Sequence, residues 1–294
     1  MNSVLIIGQS GQVSTYLQKE LTGHYQLVVA GRDQIDLLKP EQIKSVLTDI
    51  KPTVIINPAA YTAVDLAETE IEQADLINHL AVAEIADYCA TTQTPLIHFS
   101  TDYVFDGNAS QAYTETDGAN PNGVYGQTKF DGEQAILKSG APAIILRTSW
   151  VYSNQGKNFY KTMLALSESR DELNVVADQI GSPTSAQSIA VATRELVDIV
   201  LQQGGIKSEQ IGVFHFSCSG ETSWCDFAKA IFEKHQIDSM TVLGITTEEY
   251  PTPAKRPAYS VLNNDKLKSV FGVSLPNWKT ALDVCVAETQ QIHS

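Results

Sequence analysis

The feature that most restricts the fold stands at the start of the chain. Val4, Leu5, Ile6 and Ile7 form an apolar, strand-like run that breaks into Gly8-Gln9-Ser10-Gly11-Gln12-Val13-Ser14. Beyond the break, Val13, Leu17 and Leu21 recur every fourth residue, the spacing of one helix face. A strand that turns on glycine straight into a helix opens a βαβ unit. Gly8 lets the chain turn tightly, and Gly11 keeps a Cβ away from backbone amides that can approach a pyrophosphate at the helix N-terminus. The pattern is G-x-x-G-x-x-G with Ser14 in place of the third glycine, small enough to keep helix and strand close. The alternative is a turn with a structural role only.

The rest of the first half repeats this rhythm. Residues 4–7, 26–30, 54–56, 96–100 and 143–147 read as strands. Between them, Ile43 and Leu47 keep helical spacing, and residues 74–90 are rich in helix formers. Near-continuous apolar strands separated by helices predict a parallel sheet covered on both faces. Right-handed crossovers then give an α/β, Rossmann-type doubly wound sheet. Past residue 150, segments 158–169, 188–203 and 224–235 read as helices, the last capped by Thr222 or Ser223, and 213–216 as one more strand of the sheet. The expected division is a nucleotide-binding domain over 1–150, to which about 188–216 returns, and a smaller, mainly substrate-binding lobe over 151–294.

Composition narrows the function classes. With 294 residues, 43% hydrophobic and 18% charged, the chain is long and apolar enough for one large domain or a large and a small one. A formal net charge of −14 argues against nucleic acid as partner, though local cations can still hold a small phosphorylated ligand. No apolar run approaches the roughly 18 residues of a membrane span, and the N-terminus reads as a strand, not a signal peptide. Cys89, Cys218, Cys225 and Cys285 are too scattered for a zinc site or a disulfide framework. A cytoplasmic enzyme with no membrane partner fits these traits.

The second predicted strand ends in Gly31-Arg32-Asp33. An acidic residue here holds the adenosine ribose, whereas an arginine favours a 2′-phosphate, so Arg32 leans towards NADPH and Asp33 towards NADH. Asp36 and Leu37 follow towards the adenine edge.

Chemistry enters at Tyr125-Gly126-Gln127-Thr128-Lys129, which sets a phenol and an ammonium one helical turn apart. A free phenol holds its proton until about pH 10; a neighbouring ammonium stabilises phenolate and eases proton transfer to a carbonyl oxygen. Alone, Y-x-x-x-K is more often a solvated helix face. Thr101, just past the end of the fourth predicted strand, adds a hydroxyl where open α/β sheets build their ligand sites. Farther on, prolines 251, 253 and 257 force residues 250–257 into an extended loop. It carries Lys255 and Arg256, suited either to phosphate or to solvent.

On the glycine turn, Ser100-Thr101-Asp102-Tyr103-Val104-Phe105, Val124–Lys129, Arg147-Thr148-Ser149-Trp150, Asp178-Gln179-Ile180-Gly181-Ser182-Pro183-Thr184 and residues 252–257, the chain resembles the extended short-chain dehydrogenase/reductase family over nearly its whole length. The resemblance implies reduction of the C4 keto group of dTDP-4-dehydro-β-L-rhamnose by NADPH or NADH. It implies Thr101, Tyr125 and Lys129 as the catalytic set. Gly8, Ser10, Gly11, Gln12, Val13, Arg32, Asp36, Leu37, Ala59, Ala60 and Tyr61 would line the cofactor, with Tyr125 and Lys129. Thr101, Asp102, Tyr103, Trp150 and Arg256 would meet the substrate, with Gln179 and Thr184 available to the base. Trp150, without the resemblance, reads more readily as a core aromatic. Some members link dimers through magnesium held by an acidic residue on the first helix; Tyr16 stands there, so a homodimer would have to form without that metal, and no metal is expected. The rival readings are an epimerase or dehydratase on the same fold, and a non-catalytic subunit like those that partner methionine adenosyltransferase.

Overall fold

The computed structural model describes residues 2–293. Its strands are β1 (Ser3–Ile7), β2 (Gln26–Ala30), β3 (Val54–Asn57), β4 (Leu96–Thr101), β5 (Ala143–Thr148), β6 (Val151–Tyr152), β7 (Glu172–Val176), β8 (Ile180–Gly181), β9 (Thr184–Ser185), β10 (Gly212–His215), β11 (Thr222–Ser223) and β12 (Thr241–Ile245). Six of them form one sheet in the order β10-β5-β4-β3-β1-β2, with every pair parallel. After β2 the chain crosses back over β1 to lay down β3, so the direction of winding reverses between β1 and β3. Such a switch point leaves a crevice at the carboxyl ends of the strands.

The helices are α1 (Gln12–Leu21), α2 (Pro40–Ile50), α3 (Val64–Ala67), α4 (Ile71–Asp75), α5 (Ala81–Thr92), α6 (Val124–Ser139), α7 (Phe159–Ser167), α8 (Ala186–Gln202), α9 (Trp224–Lys234), α10 (Asp265–Phe271) and α11 (Trp278–His293). Period-two alternation explains why β1 is apolar at four successive positions, Val4 to Ile7. Val4 and Ile6 pack with Leu17 and Leu21 of α1 and with Ile189 and Leu196 of α8. Leu5 and Ile7 turn to the opposite face and meet Ile43 and Leu47 of α2 and Ile85 of α5. Each such buried side chain contributes about 1.5–3 kcal/mol, which fixes the register of the sheet.

Two details depart from the sequence reading, and a third, the cap of α9, is decided between the two candidates. Residues 74–90 do not form one regular helix: a π-helical turn, Leu76–Leu80, separates α4 from α5. Its Asn78 side chain accepts from the Tyr61 N–H at 2.8 Å and donates to the Tyr61 carbonyl at 3.1 Å, while its own carbonyl presses on Gly132, where a Cβ would lie 2.2 Å away. These are long-range constraints that helix propensity does not register. Thr101 is the last residue of β4 and not a residue beyond it. The cap of α9 is Ser223, whose hydroxyl accepts from the Asp226 N–H at 3.0 Å. Residues 250–257 form a loop free of helix and strand, as the prolines require.

Candidate active site

A cleft of about 930 Å³ opens over the carboxyl ends of the central strands. At its β1 end lies the glycine turn. Gly8 sits at φ +98°, where side chains are strained, and its N–H donates to the Ala30 carbonyl at 2.8 Å. Ser14, in place of a third glycine, donates its hydroxyl to the Gly8 carbonyl, so helix and turn are joined by a side chain. A Cβ on Gly11, the residue before α1, would meet no protein atom within 4 Å, so that face of the turn opens on the cleft. With the N-terminus of α1 behind it, this is a cradle suited to a pyrophosphate.

Most of the anticipated residues converge on this cleft: Gly8, Ser10, Gly11, Gln12, Val13, Arg32, Asp36, Leu37, Ala59, Ala60, Thr101, Asp102, Tyr103, Tyr125, Lys129 and Trp150. Arg32 is largely exposed and lies 3.5 Å from Asp36. Tyr61 and Arg256 do not line it. The Tyr61 hydroxyl donates to Glu70 at 2.7 Å, and the Arg256 guanidinium pairs with Asp65 at 2.8 Å, beside Tyr103. Gln179 donates to the Thr247 hydroxyl at 3.1 Å, and Thr184 to the Ser182 carbonyl at 3.0 Å, both away from the cleft. Among the lining residues that no sequence motif announced are Lys157, Asn158 and Trp224. Asn158 is brought there by Gln12, whose side-chain amide oxygen accepts from the Asn158 side chain at 2.7 Å and from the Ser153 hydroxyl at 2.8 Å.

Tyr125 and Lys129 stand one turn apart on α6, facing the end of β4. Burial pushes the Tyr125 phenol up to about 12; a hydrogen bond with Thr101 acts downwards and the Asp102 carboxylate upwards. Thr101 donates to Asp102 at 3.1 Å and accepts from the Tyr103 N–H at 3.2 Å. Asp102 is itself pushed up to about 6 by burial, against hydrogen bonds from Ser260 and Thr101.

Lys129 lines the cleft with Tyr125 and is anchored from the sheet side. Its ammonium donates to the Phe99 carbonyl at 2.6 Å and lies 3.4 Å from His98 Nε2, so it is turned into the sheet. Burial lowers it to about 8, with Glu133 pulling the other way. Behind the site, Glu133 accepts from Ser100 at 2.5 Å and from Arg147 at 2.9 and 2.6 Å, a buried network spanning α6, β4 and β5.

Comparisons with known proteins bear on this cleft. A family model described as the RmlD substrate binding domain matches residues 1–291. A dTDP-4-dehydrorhamnose reductase of Burkholderia thailandensis is 40% identical over 292 residues, covering 97% of this chain and 98% of that one. One from Sinorhizobium fredii is 43% identical, covering 93% of each. Among solved structures, a dTDP-4-dehydrorhamnose reductase from Clostridium acetobutylicum superposes with a TM-score of 0.90 at 38% identity, over 98% of this chain and 99% of that one. The Bacillus anthracis enzyme in complex with NADP gives 0.90 at 35%, over 98% and 100%. A UDP-glucose 4-epimerase from Brucella ovis, at 17% identity and 0.78, shares the fold alone.

Proposed function

The chain belongs to the RmlD substrate binding domain family, and from that membership we propose that it reduces the C4 keto group of dTDP-4-dehydro-β-L-rhamnose to give dTDP-β-L-rhamnose, with NADPH or NADH as reductant. The observation that carries this reading is the meeting of Thr101, Tyr125 and Lys129 with a glycine cradle in one cleft, in a chain matched end to end by reductases of that name.

The cofactor, when bound, supplies the hydride. The cradle of Gly8, Ser10, Gly11, Gln12 and Val13 would hold its diphosphate, Arg32, Asp36 and Leu37 its adenosine end, and Ala59 and Ala60, with Tyr61 behind them, its middle. As the carbonyl carbon accepts hydride, its π electrons move to the oxygen, which takes the proton of Tyr125. A phenol held near 12 keeps that proton at neutral pH until negative charge develops on the oxygen. Thr101 aligns the oxygen and hydrogen-bonds the phenolate that forms, and the Lys129 ammonium stabilises the same charge through the low-dielectric interior. Solvent returns the proton. Asp102, Tyr103 and Trp150 bound the sugar, and Arg256, steadied by Asp65, is assigned to the diphosphate end on its charge.

In domain terms, residues 1–150 with the returning α8 and β10 carry the cofactor, and most of 151–294 carries the substrate. The four cysteines are free and buried, and no helix among the described residues is long and apolar enough to cross a membrane; both support a place in the cytoplasm. The test is loss of NADPH absorbance with dTDP-4-dehydro-β-L-rhamnose. Stoichiometric oxidation supports the reading. Protein that carries tightly held NAD and consumes no reductant points to an epimerase or dehydratase, and folded protein that binds cofactor without turnover points to a binding subunit.

A further inference from the structure

The indole of Trp150 is clamped. Its backbone sits at φ +47°, a conformation that bulky side chains adopt only when their surroundings over-determine it. Against one face lies Trp224, the first residue of α9, with ring centroids 3.5 Å apart and planes 5° from parallel. Against the other lies Gly181. A Cβ there would be 2.4 Å from Trp150 Cε2 and 2.7 Å from each of its bonded neighbours Cζ2 and Nε1. An atom nearer to Cε2 than to both neighbours stands over the ring face, not at its edge. Because Trp224 already covers one face, Gly181 covers the opposite one.

Both jaws are fixed by backbone pairing. Gly181 pairs with Thr222 in the β8–β11 ladder, which delivers the chain into Trp224 two residues later. The Thr184 N–H donates to the Trp150 carbonyl at 3.2 Å, and the Ser149 hydroxyl to the Ser182 carbonyl at 2.8 Å. Phe159 packs against Trp224 at 4.6 Å and backs that jaw. With both faces covered, Trp150 offers the cleft only its rim, in the same cavity as Thr101 and Tyr125.

We propose that Gly181 and Trp224 are positioning residues that hold Trp150 as a rigid wall at the sugar end of the cleft, and that this wall sets how the hexose is oriented. The inference rests on the reductase reading above, with Trp150 at the sugar. A ring with both faces covered cannot stack on a pyranose, so it acts by shape: its rim stops the sugar where C4 and the keto oxygen face Thr101 and Tyr125. Side chains locked by packing place a substrate far better than mobile ones, and small displacements are costly in rate.

The experiment uses the full-length protein with dTDP-4-dehydro-β-L-rhamnose and NADPH. Trp224→Ala and Gly181→Ala should each lower kcat/KM for the sugar nucleotide by about tenfold or more while the KM for NADPH moves less than about twofold. Trp224→Phe keeps a stacking ring and should recover most of the loss. The stacked indoles should also give wild-type protein an exciton couplet in far-ultraviolet circular dichroism, absent from Trp224→Ala. If Trp224→Ala does not fold, Gly181→Ala, a change of one methyl group, carries the kinetic test. An unchanged kcat/KM for the sugar nucleotide in the folded variants, or a KM for NADPH that rises as much as that for the sugar nucleotide, overturns the proposal. Should wild-type protein fail to turn the sugar over, the reductase reading falls, while the couplet and its loss still decide whether the clamp exists.

Discussion

Lys129 donates its ammonium to the carbonyl oxygen of Phe99 over 2.6 Å, so the charge proposed to act in catalysis is anchored inside the sheet. Its folded pKa lies at about 8, lowered by burial from an ordinary value of 10.5. Between those values the unfolded chain binds more protons than the folded one, so stability rises with pH across that window and the full penalty is felt below about 8. Lys129→Met is therefore predicted to raise stability at neutral pH by on the order of 1–3 kcal/mol, with the gain shrinking towards pH 10, while turnover falls by about a hundredfold. Thermal melts of the two proteins across that range test the first part. A variant less stable than wild type at neutral pH contradicts it.

Tyr125 is assigned the proton. Tyr125→Phe removes the hydroxyl and leaves the ring, whose edge-on contact with Tyr103 at 5.5 Å is kept. We expect kcat to fall by about 10²–10⁴ with cofactor affinity nearly intact. Steady-state rates and a cofactor titration check both halves; turnover near the wild-type rate removes Tyr125 from the role.

Glu133 and Arg147 form a buried pair, with the carboxylate fully enclosed and nitrogen–oxygen distances of 2.9 and 2.6 Å. Removing one partner strands the other charge. Glu133→Ala should cost about 3–5 kcal/mol, and a double change of Glu133→Met with Arg147→Met should cost much less. Urea denaturation compares them. Equal losses in the single and double variants would show that the pair is not held together by charge.

At the adenosine end, Arg32 is exposed and near Asp36, free to turn towards a 2′-phosphate. Arg32→Ala should raise the KM for NADPH by about tenfold and leave that for NADH little changed, since one charge-assisted contact is lost only with the former. Equal effects on both cofactors would place Arg32 outside phosphate recognition.

How much of this was legible in the sequence follows from how local each constraint is. The strands of the sheet and the meeting of Gly8, Thr101, Tyr125 and Lys129 rest on short motifs, on near-continuous apolar runs and on period-3.6 helix patterns, which a sequence carries openly. Trp224, Lys157 and Asn158 reach the cleft through tertiary pairing, and no spacing near Thr101 or Tyr125 announces them. The π-turn at Leu76–Leu80 answers to Tyr61 and Gly132, both distant in sequence, so a helix-rich composition hid it. Lys129 illustrates the limit most clearly: spacing places the ammonium on the right face of α6, but the carbonyl that holds it belongs to β4. Arg256 is similar, because its partner Asp65 precedes it by most of the chain.

The central claim is transfer of hydride to C4 of the sugar with the proton supplied on oxygen. The most direct measurement supplies NADPH deuterated at the nicotinamide C4 position, together with dTDP-4-dehydro-β-L-rhamnose, to the purified protein and locates the label by NMR. The predicted result is dTDP-β-L-rhamnose bearing one deuterium at C4 for each cofactor oxidised. Label absent from the sugar, or an altered sugar formed without net loss of reduced cofactor, would contradict it.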